Sequence, residues 1–231
     1  MCPFSADGAQ ADYLIVAEDR WMAPLSLSIP FGEGVVFEGA FYAYGSIGRL
    51  TLEPGSPILV YGASGAIGSA AVQLAKYRGY HVTAVVQPQH LGMAQSLGAD
   101  RVIATSSDDY RTLGRGFDFV LDAVGKMRAS QWRPLLRPQG VFATTDTGPK
   151  GQSMLLLVWS LITRSGQVTI PLPARGSGLS FVNFLKERMD AGEFRAMIDT
   201  TYSLEKIAEV YRYVQTGQKA GIVVIDVAGA A

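Results

Sequence analysis

The sequence contains very little cysteine, histidine and charge. Its 231 residues include one cysteine, Cys2, and two histidines, His81 and His90. A single cysteine cannot form an internal disulfide, and these few side chains cannot build a four-cysteine zinc site, so we predict no metal site. The 20 basic and 20 acidic side chains give a net charge of zero. This balance argues against nucleic acid as a partner, because phosphate backbones demand a basic surface.

The N-terminus and the apolar runs argue against export and membrane insertion. The first ten residues, MCPFSADGAQ, lack the basic start and the apolar run of a signal peptide, so we expect a cytoplasmic protein. The longest apolar stretch, 154–162 (MLLLVWSLI), is far shorter than the roughly 20 residues that span a bilayer. We interpret it as a buried helix. With 48% hydrophobic residues, the chain can form a packed core.

Short β-rich runs alternate with helical patterns over most of the chain. Repeated β-α units with short connections predict an α/β fold, a doubly wound parallel sheet of the Rossmann type. Helices are predicted from Ile67 to a stop at Gly79, over 88–97 and over 129–136. Strands are predicted at 57–62, 81–86, 101–104, 117–121, after Gly140 (VFATT) and at 168–171.

The pattern changes after residue 173. A glycine-serine linker precedes an amphipathic helix through Phe181 and Met189 that ends at Gly192. A second helix is predicted to begin with Ser203 as its N-cap and to end near Gly217, and GIVVIDV is the last strand.

A glycine-rich turn follows the first predicted strand. Its sequence, GASGAIG at 62–68, opens a helix, and the unpaired N–H groups of a helix N-terminus favour an anion. In the strand-turn-helix context this motif predicts dinucleotide binding, although a purely structural turn remains the alternative. The candidate cofactor residues of this turn are Gly62, Ser64, Gly65, Ala66, Ile67 and Gly68.

Two other motifs invite enzymatic interpretations that their surroundings disfavour. Ser64 almost completes the G-x-S-x-G elbow of hydrolases, but Ala66 replaces the last glycine and no histidine follows His90. Tyr202 and Lys206 have the spacing of short-chain dehydrogenases but follow the whole β-α series. A helix cap and its first turn explain this pair better.

The end of the second strand informs the choice of cofactor. Gln87 stands where an NAD enzyme usually places a carboxylate on the ribose hydroxyls. The missing carboxylate tolerates a 2′-phosphate, and His90 is the one weak cation nearby. We therefore favour NADPH, with NADH as the alternative. Gln87 also argues against an S-adenosylmethionine methyltransferase, which normally needs an acid there.

Several separated segments resemble the zinc-independent medium-chain dehydrogenases/reductases of the quinone oxidoreductase type. The likeness extends over nearly the whole chain, and the segments occur in the family's order. They are 62–76 (GASGAIGSAAVQLAK), 96–102 (SLGADRV), 117–126 (FDFVLDAVGK), 144–150 (TTDTGPK) and 191–224.

The resemblance implies further site residues, a dimer and three domains. It implies a homodimer that forms through the edge strand near 168–171. The domains it implies are a remnant of a GroES-like substrate domain (1–34), a Rossmann domain (35–173) and C-terminal helices with a strand that returns to the substrate domain (174–231). The loops that it assigns to the cofactor crevice after the fourth and fifth strands contain Asp122, Ala123, Val124, Gly125, Thr145, Asp146, Thr147 and Gly148.

The chain also departs from the family pattern. Most of the GroES-like domain is expected to be absent, since only 8–16 (GAQADYLIV) matches its last strand. Tyr42 replaces a threonine whose hydroxyl lies near the nicotinamide in the family, so Tyr42 is the candidate catalytic residue, with a tyrosine that only packs in the structure as the alternative. Gln89 replaces the usual lysine after the second strand. The resemblance implies hydride transfer from NAD(P)H to a quinone, enone or carbonyl substrate. A non-catalytic nucleotide-binding or dimerisation module is the alternative.

Overall fold

The chain divides into two compact units. The computed structural model describes residues 13, 15, 16, 22–105, 113–146, 158, 160, 162, 168, 169 and 178–227. The two-stranded unit comprises Met1–Phe41 and Ala174–Ala231, and the six-stranded unit comprises Tyr42–Pro173. The predicted division into three domains stays a prediction.

The six-stranded unit contains one parallel sheet with the strand order β3-β2-β1-β4-β5-β6. The order reverses between β1 and β4, which is the switch point of a doubly wound sheet. The predicted α/β fold of the Rossmann type is confirmed. The strands are β1 (Pro57–Tyr61), β2 (His81–Val86), β3 (Arg101–Ala104), β4 (Phe117–Asp122), β5 (Leu136–Thr144) and β6 (Val168–Thr169).

Helices connect these strands, and burial explains their sequences. β1 and β2 are apolar because both faces of a parallel sheet are covered, and Ile58, Leu59 and Val60 have no exposed surface. A short 3-10 turn over Pro88–His90 precedes α3. The helices are α1 (Val36–Ile47), which begins in the two-stranded unit, α2 (Ala66–Tyr77), α3 (Leu91–Ser96) and α4 (Ala129–Trp132).

The helix predicted over 129–136 is shorter than expected. It ends at Trp132, a 3-10 turn covers Arg133–Leu135, and Leu136 already belongs to β5. Pro134 explains the early end, because proline has no N–H group to continue the α-helical hydrogen bonds.

The edge of the sheet is described only in part. Val168 and Thr169 pair with Phe142 and Ala143 of β5, whereas residues 170 and 171 of the predicted strand lie outside the described residues. The apolar stretch 154–162 also lies largely outside them. Of its described residues, Ser160 is buried, but Val158 and Ile162 are 47% and 71% exposed, so the prediction of a buried helix does not hold at these two residues.

The two-stranded unit contains α5 (Gly178–Asp190), β7 (Ile198–Ser203), α6 (Ile207–Gln215) and β8 (Ile222–Asp226). The ring of Phe181 on α5 packs against Phe37 and Phe41, with centroids 6.1 and 5.0 Å away. β7 pairs with β8 in parallel. In the part of the chain that the structure describes, no helix has the length and apolar character needed to cross a membrane.

The prediction that Ser203 is the N-cap of a helix is confirmed for a 3-10 turn rather than for the α-helix itself. Ser203 is the last residue of β7, a 3-10 turn covers Leu204–Lys206, and α6 begins at Ile207. Ser203 makes no side-chain capping hydrogen bond. Because Tyr202 lies in a strand and Lys206 lies in the turn, the two residues do not share a helix face as their spacing had suggested.

Candidate functional site

The first βα turn is held in place by backbone hydrogen bonds. Gly62 has a φ of +76°, a conformation that side chains other than glycine rarely adopt. The N–H groups of Gly62 and Ala63 both donate to the carbonyl oxygen of Val85 on β2, at 2.9 and 3.2 Å. The Gly65 N–H donates to the Gly62 carbonyl oxygen at 3.0 Å. The path of the turn is therefore set by main-chain atoms.

Two further glycines of this turn have different surroundings. A Cβ atom at Gly68 would overlap the Gly62 carbonyl oxygen and lie 2.8 Å from Ala63 Cα, so helix α2 approaches the turn too closely for any side chain. A Cβ at Gly65 would touch only the Gly62 carbonyl oxygen, at 3.5 Å, and would otherwise project into open space. Gly65 therefore leaves open space beside the turn.

The N-terminus of α2 is open toward that space. Gly65 is its N-cap residue, with extended backbone and no side-chain capping bond. The first N–H groups of an α-helix have no partner inside the helix. Ala66 and Ile67 in the first turn of α2 are half-buried, and their backbone N–H groups can donate to an anion placed beside Gly65.

The loop after β4 is organised by one buried carboxylate. The side chain of Asp122 is 1% exposed. Its Oδ1 accepts hydrogen bonds from the N–H groups of Val124 (3.0 Å) and Gly125 (2.9 Å), and its Oδ2 accepts one from Met127 (2.7 Å). Burial raises the pKa of the Asp122 carboxyl, while these backbone hydrogen bonds oppose the rise. Both carboxylate oxygens are thus occupied in shaping the loop.

Three of the predicted site segments lie together at the carboxyl ends of the central strands. Val124, 40% exposed, extends over the first turn, since a Cβ at Gly62 would overlap Val124 Cγ2. A Cβ at Gly125, whose φ is +75°, would overlap Cβ of Asp146 after β5. The Thr145 N–H donates to the Asp122 carbonyl oxygen at 3.2 Å. Ala123 belongs to the same loop, and Thr147 and Gly148 lie outside the described residues.

The residues that follow β2 form hydrogen bonds with one another. Gln89 Nε2 donates to Gln87 Oε1 at 2.6 Å, and the His90 N–H donates to the Gln87 carbonyl oxygen at 2.9 Å. Residues 87–90 contain neither a carboxylate nor an arginine or lysine.

The remaining predicted residue, Tyr42, lies in α1. It is half-buried, and its carbonyl oxygen accepts a hydrogen bond from Ser46 Oγ at 3.1 Å. Its proposed catalytic role stays a prediction. Among the described residues, no group of three or more His, Cys, Asp or Glu side chains is placed to hold a metal ion.

An open groove beside the β4 loop was not predicted from the sequence. It is lined by Lys126, Arg128, Ser130 and Gln131. The sequence feature that could have indicated a basic site here is the charge of the segment. Between Asp122 and Asp146 the chain has four basic residues and no acidic one.

Comparison with known proteins agrees with this geometry. Residues 97–225 match the family model described as zinc-binding dehydrogenase. The chain belongs to this family. The predicted resemblance to medium-chain dehydrogenases/reductases of the quinone oxidoreductase type is therefore confirmed, whereas independence from zinc stays a prediction.

Individual relatives are similar to this chain over long stretches. The chloroplastic quinone-oxidoreductase QR1 of Triphysaria versicolor is 29% identical over 177 residues, which are 75% of this chain and 53% of the relative. The 2-methylene-furan-3-one reductase of Solanum lycopersicum is 27% identical over 228 residues, 94% of this chain and 52% of the relative. The chain thus spans about half the length of these two relatives.

A solved structure of an NAD-dependent alcohol dehydrogenase superposes with a TM-score of 0.78 at 25% identity. The match covers 95% of this chain and 65% of that one.

The predicted cytoplasmic location stays a prediction.

Proposed function

We propose that this chain binds a reduced nicotinamide dinucleotide across the switch point of its sheet and transfers hydride to the activated C=C or carbonyl group of a quinone, an enone or a related small molecule. The observation that carries the proposal is the first βα turn. It combines a sharp backbone turn at Gly62, a close helix approach at Gly68 and open space beside Gly65. Family membership and the oxidoreductase names of its relatives support the same activity.

The residues of the turn fit a dinucleotide. The space beside Gly65 that a side chain would fill is where a pyrophosphate approaches the backbone in this fold. The N–H groups of Ala66 and Ile67 would bind the phosphates, because a helix N-terminus favours negative charge. Val124 would pack on the cofactor and exclude water from one side of the crevice, and Asp122 would hold Val124 in that position.

The bound cofactor would supply the hydride, so the protein needs only to bind, orient and exclude water. For that reason the reaction requires no strong acid-base pair. Tyr42 is the residue that we propose to hydrogen-bond the reduced oxygen of the substrate, with its hydroxyl as the proton donor. We keep NADPH as the favoured cofactor and NADH as the alternative, since the end of β2 has no carboxylate that would repel a 2′-phosphate. A homodimer through the β6 edge is part of this proposal, and light scattering at micromolar concentration tests it.

The decisive experiment replaces Gly65 with valine. Gly65 has φ −80° and ψ 174°, an extended conformation that valine adopts easily, so the fold should persist while the Cβ fills the phosphate space. We expect micromolar binding of NADPH or NADH by the wild-type chain, followed by nicotinamide fluorescence, and at least about a hundredfold weaker binding by Gly65→Val.

Gly92→Val is the matched control, because a Cβ at Gly92 meets nothing within 4 Å. This variant should bind like the wild type. Undiminished affinity in Gly65→Val would contradict the proposed site. Adding a quinone and an enone to the wild-type complex then separates the two functions. Oxidation of the dinucleotide supports the oxidoreductase, and binding without oxidation supports the nucleotide-binding module.

A further inference from the structure

The groove beside the β4 loop has a chemical character that differs from that of the glycine turn. It has a volume of about 560 Å³ and is lined by Lys126, Arg128, Ser130 and Gln131. This size lies within the range of small-molecule sites, about 300 to 1,000 Å³. Its lining offers two positive charges, a hydroxyl and an amide, but no carboxylate. Such a set of groups favours an anion.

The two cations of the groove are set apart from the other basic residues of the segment. Arg137 Nη1 donates to both carboxylate oxygens of Asp118, at 2.8 and 2.9 Å, and Arg133 lies over the ring of Trp132 at 5.5 Å. Within the described part of the chain, neither Lys126 nor Arg128 forms an ion pair with a carboxylate. Their charges are therefore available to an external ligand.

The groove is built on a firmly packed support. Trp132 is buried and stacks on Phe142, with ring centroids 4.3 Å apart and planes 8° apart. Met127, between the two cations, is buried, and its N–H donates to Asp122. The Arg128 N–H donates to Gln131 Oε1 at 2.7 Å. The backbone that carries both cations is thus fixed before any ligand binds, which lowers the entropic cost of binding.

We propose that this groove binds a phosphate group of the substrate, an inference that rests on the proposed function. Arginine binds phosphate through two parallel N–H groups, and lysine adds a compact positive charge. The groove continues from the loop whose Val124 extends over Gly62, so it lies at the same end of the sheet as the proposed crevice. The 2′-phosphate of NADPH is not this ligand, because the adenine ribose of a dinucleotide bound at the Gly65 turn would lie at the end of β2, on the other side of β1.

The substrate class implied by this groove is a phosphorylated molecule. Its phosphate would reach Lys126 and Arg128 while its reducible group lies in the crevice. Coenzyme A, which carries several phosphate groups, is the probe for this chemistry, and the two dinucleotides are compared with it.

The test uses the double variant Lys126→Gln, Arg128→Gln in the full chain. Dissociation constants for NADH and NADPH are measured by fluorescence, and that for coenzyme A by calorimetry. The matched control is Arg133→Gln, which removes a charge from the same segment but outside the groove. A loss of at least about fivefold is expected for the phosphate-bearing ligand that uses the groove, since two charge-assisted contacts disappear.

Each outcome decides the inference. Weaker coenzyme A binding with both dinucleotides unchanged supports a substrate phosphate in the groove, whereas weaker NADPH binding with unchanged NADH and coenzyme A binding overturns it. Unchanged binding of all three ligands overturns the subsite, as does an equal loss for all three or the same loss in Arg133→Gln. Failure of the wild-type chain to bind NADH contradicts the proposed function alone, because the coenzyme A measurement still tests the groove.

Discussion

The six-stranded sheet has two halves, β1 to β3 and β4 to β6, which lie on either side of the switch point. The loops at the carboxyl ends of the two halves are stabilised in different ways. After β1, the turn is fixed by main-chain hydrogen bonds from Gly62 and Ala63 to Val85. The close backbone contacts of this turn are possible because glycine has no side chain. After β4, the loop is fixed by a single buried side chain, Asp122, which accepts three backbone N–H groups. One half therefore depends on the absence of side-chain atoms, and the other depends on one charge.

The surfaces beside these two loops also differ. Residues 87–90 after β2 include no carboxylate, lysine or arginine, whereas the segment after β4 is basic and forms the groove of Lys126 and Arg128. In a complex the first half would bind the phosphates of the dinucleotide through backbone N–H groups, and the second would bind a substrate phosphate through side-chain cations. Substitutions in the two halves should thus fail for different reasons.

The largest effect is expected at Asp122. Asp122→Ala leaves three N–H groups in a buried loop without acceptors, and each costs about 1 to 3 kcal/mol. We expect the free energy of unfolding to fall by about 3 to 5 kcal/mol in urea titrations. Asp122→Asn should lose less, because its amide oxygen can still accept from Val124 and Gly125. A loss below about 0.5 kcal/mol in the alanine variant would show that the loop does not depend on this carboxylate.

A smaller effect is expected inside the glycine turn. Gly68→Ala introduces a Cβ that overlaps backbone atoms, which cannot move as a flexible side chain could. The free energy of unfolding should fall by about 1 to 3 kcal/mol. Gly65→Ala adds the same methyl group at an ordinary contact distance and should change stability by less than about 0.5 kcal/mol. Equal losses in the two variants would mean that the turn adjusts freely at both positions.

The contrast between the two halves also explains what could be predicted from the sequence. His81–Val86 and Arg101–Ala104 were predicted with the bounds that the structure has, because β-branched runs bounded by glycine turns are local signals. The glycine turn is equally local. Strand β7 was missed because Ile198–Ser203 (IDTTYS) is mostly polar and has no buried residue. Its pairing with β8 is a tertiary contact that no local pattern records.

The function of Asp122 was equally hard to predict. The resemblance assigned it to the cofactor crevice, but its carboxylate faces the N–H groups of its own loop. That arrangement arises only when the chain folds back after β4 and brings Met127 within 2.7 Å. The groove of Lys126 and Arg128 forms where the chain folds back in the same way. The basic residues along the sequence could therefore indicate that a positively charged site exists, but not where it lies in the fold.

The smallest effect is expected where each half uses an exposed ion pair. Asp100, before β3, accepts from Lys76 Nζ at 2.8 Å and from the Val82 N–H at 2.7 Å, whereas Asp118 on β4 pairs with Arg137. Asp100→Ala leaves a backbone N–H without its acceptor and should cost about 1 to 2 kcal/mol. Asp118→Ala loses a surface pair and should cost less than about 1 kcal/mol.

The dependence on pH separates the contribution of Asp100 from simple packing. Burial raises the pKa of the Asp100 carboxyl, but the hydrogen bonds from Lys76 and Val82 outweigh it and lower the pKa below 3.8. A carboxyl whose pKa is lower in the folded state stabilises the protein above its unfolded pKa of about 3.9, and loses that contribution as the pH falls through the folded value. The difference in unfolding free energy between the wild type and Asp100→Ala should therefore persist at pH 5 and shrink below pH 4. A difference that stays the same down to pH 2 would assign the effect to packing, and the comparison between the two halves would then rest on Asp122 alone.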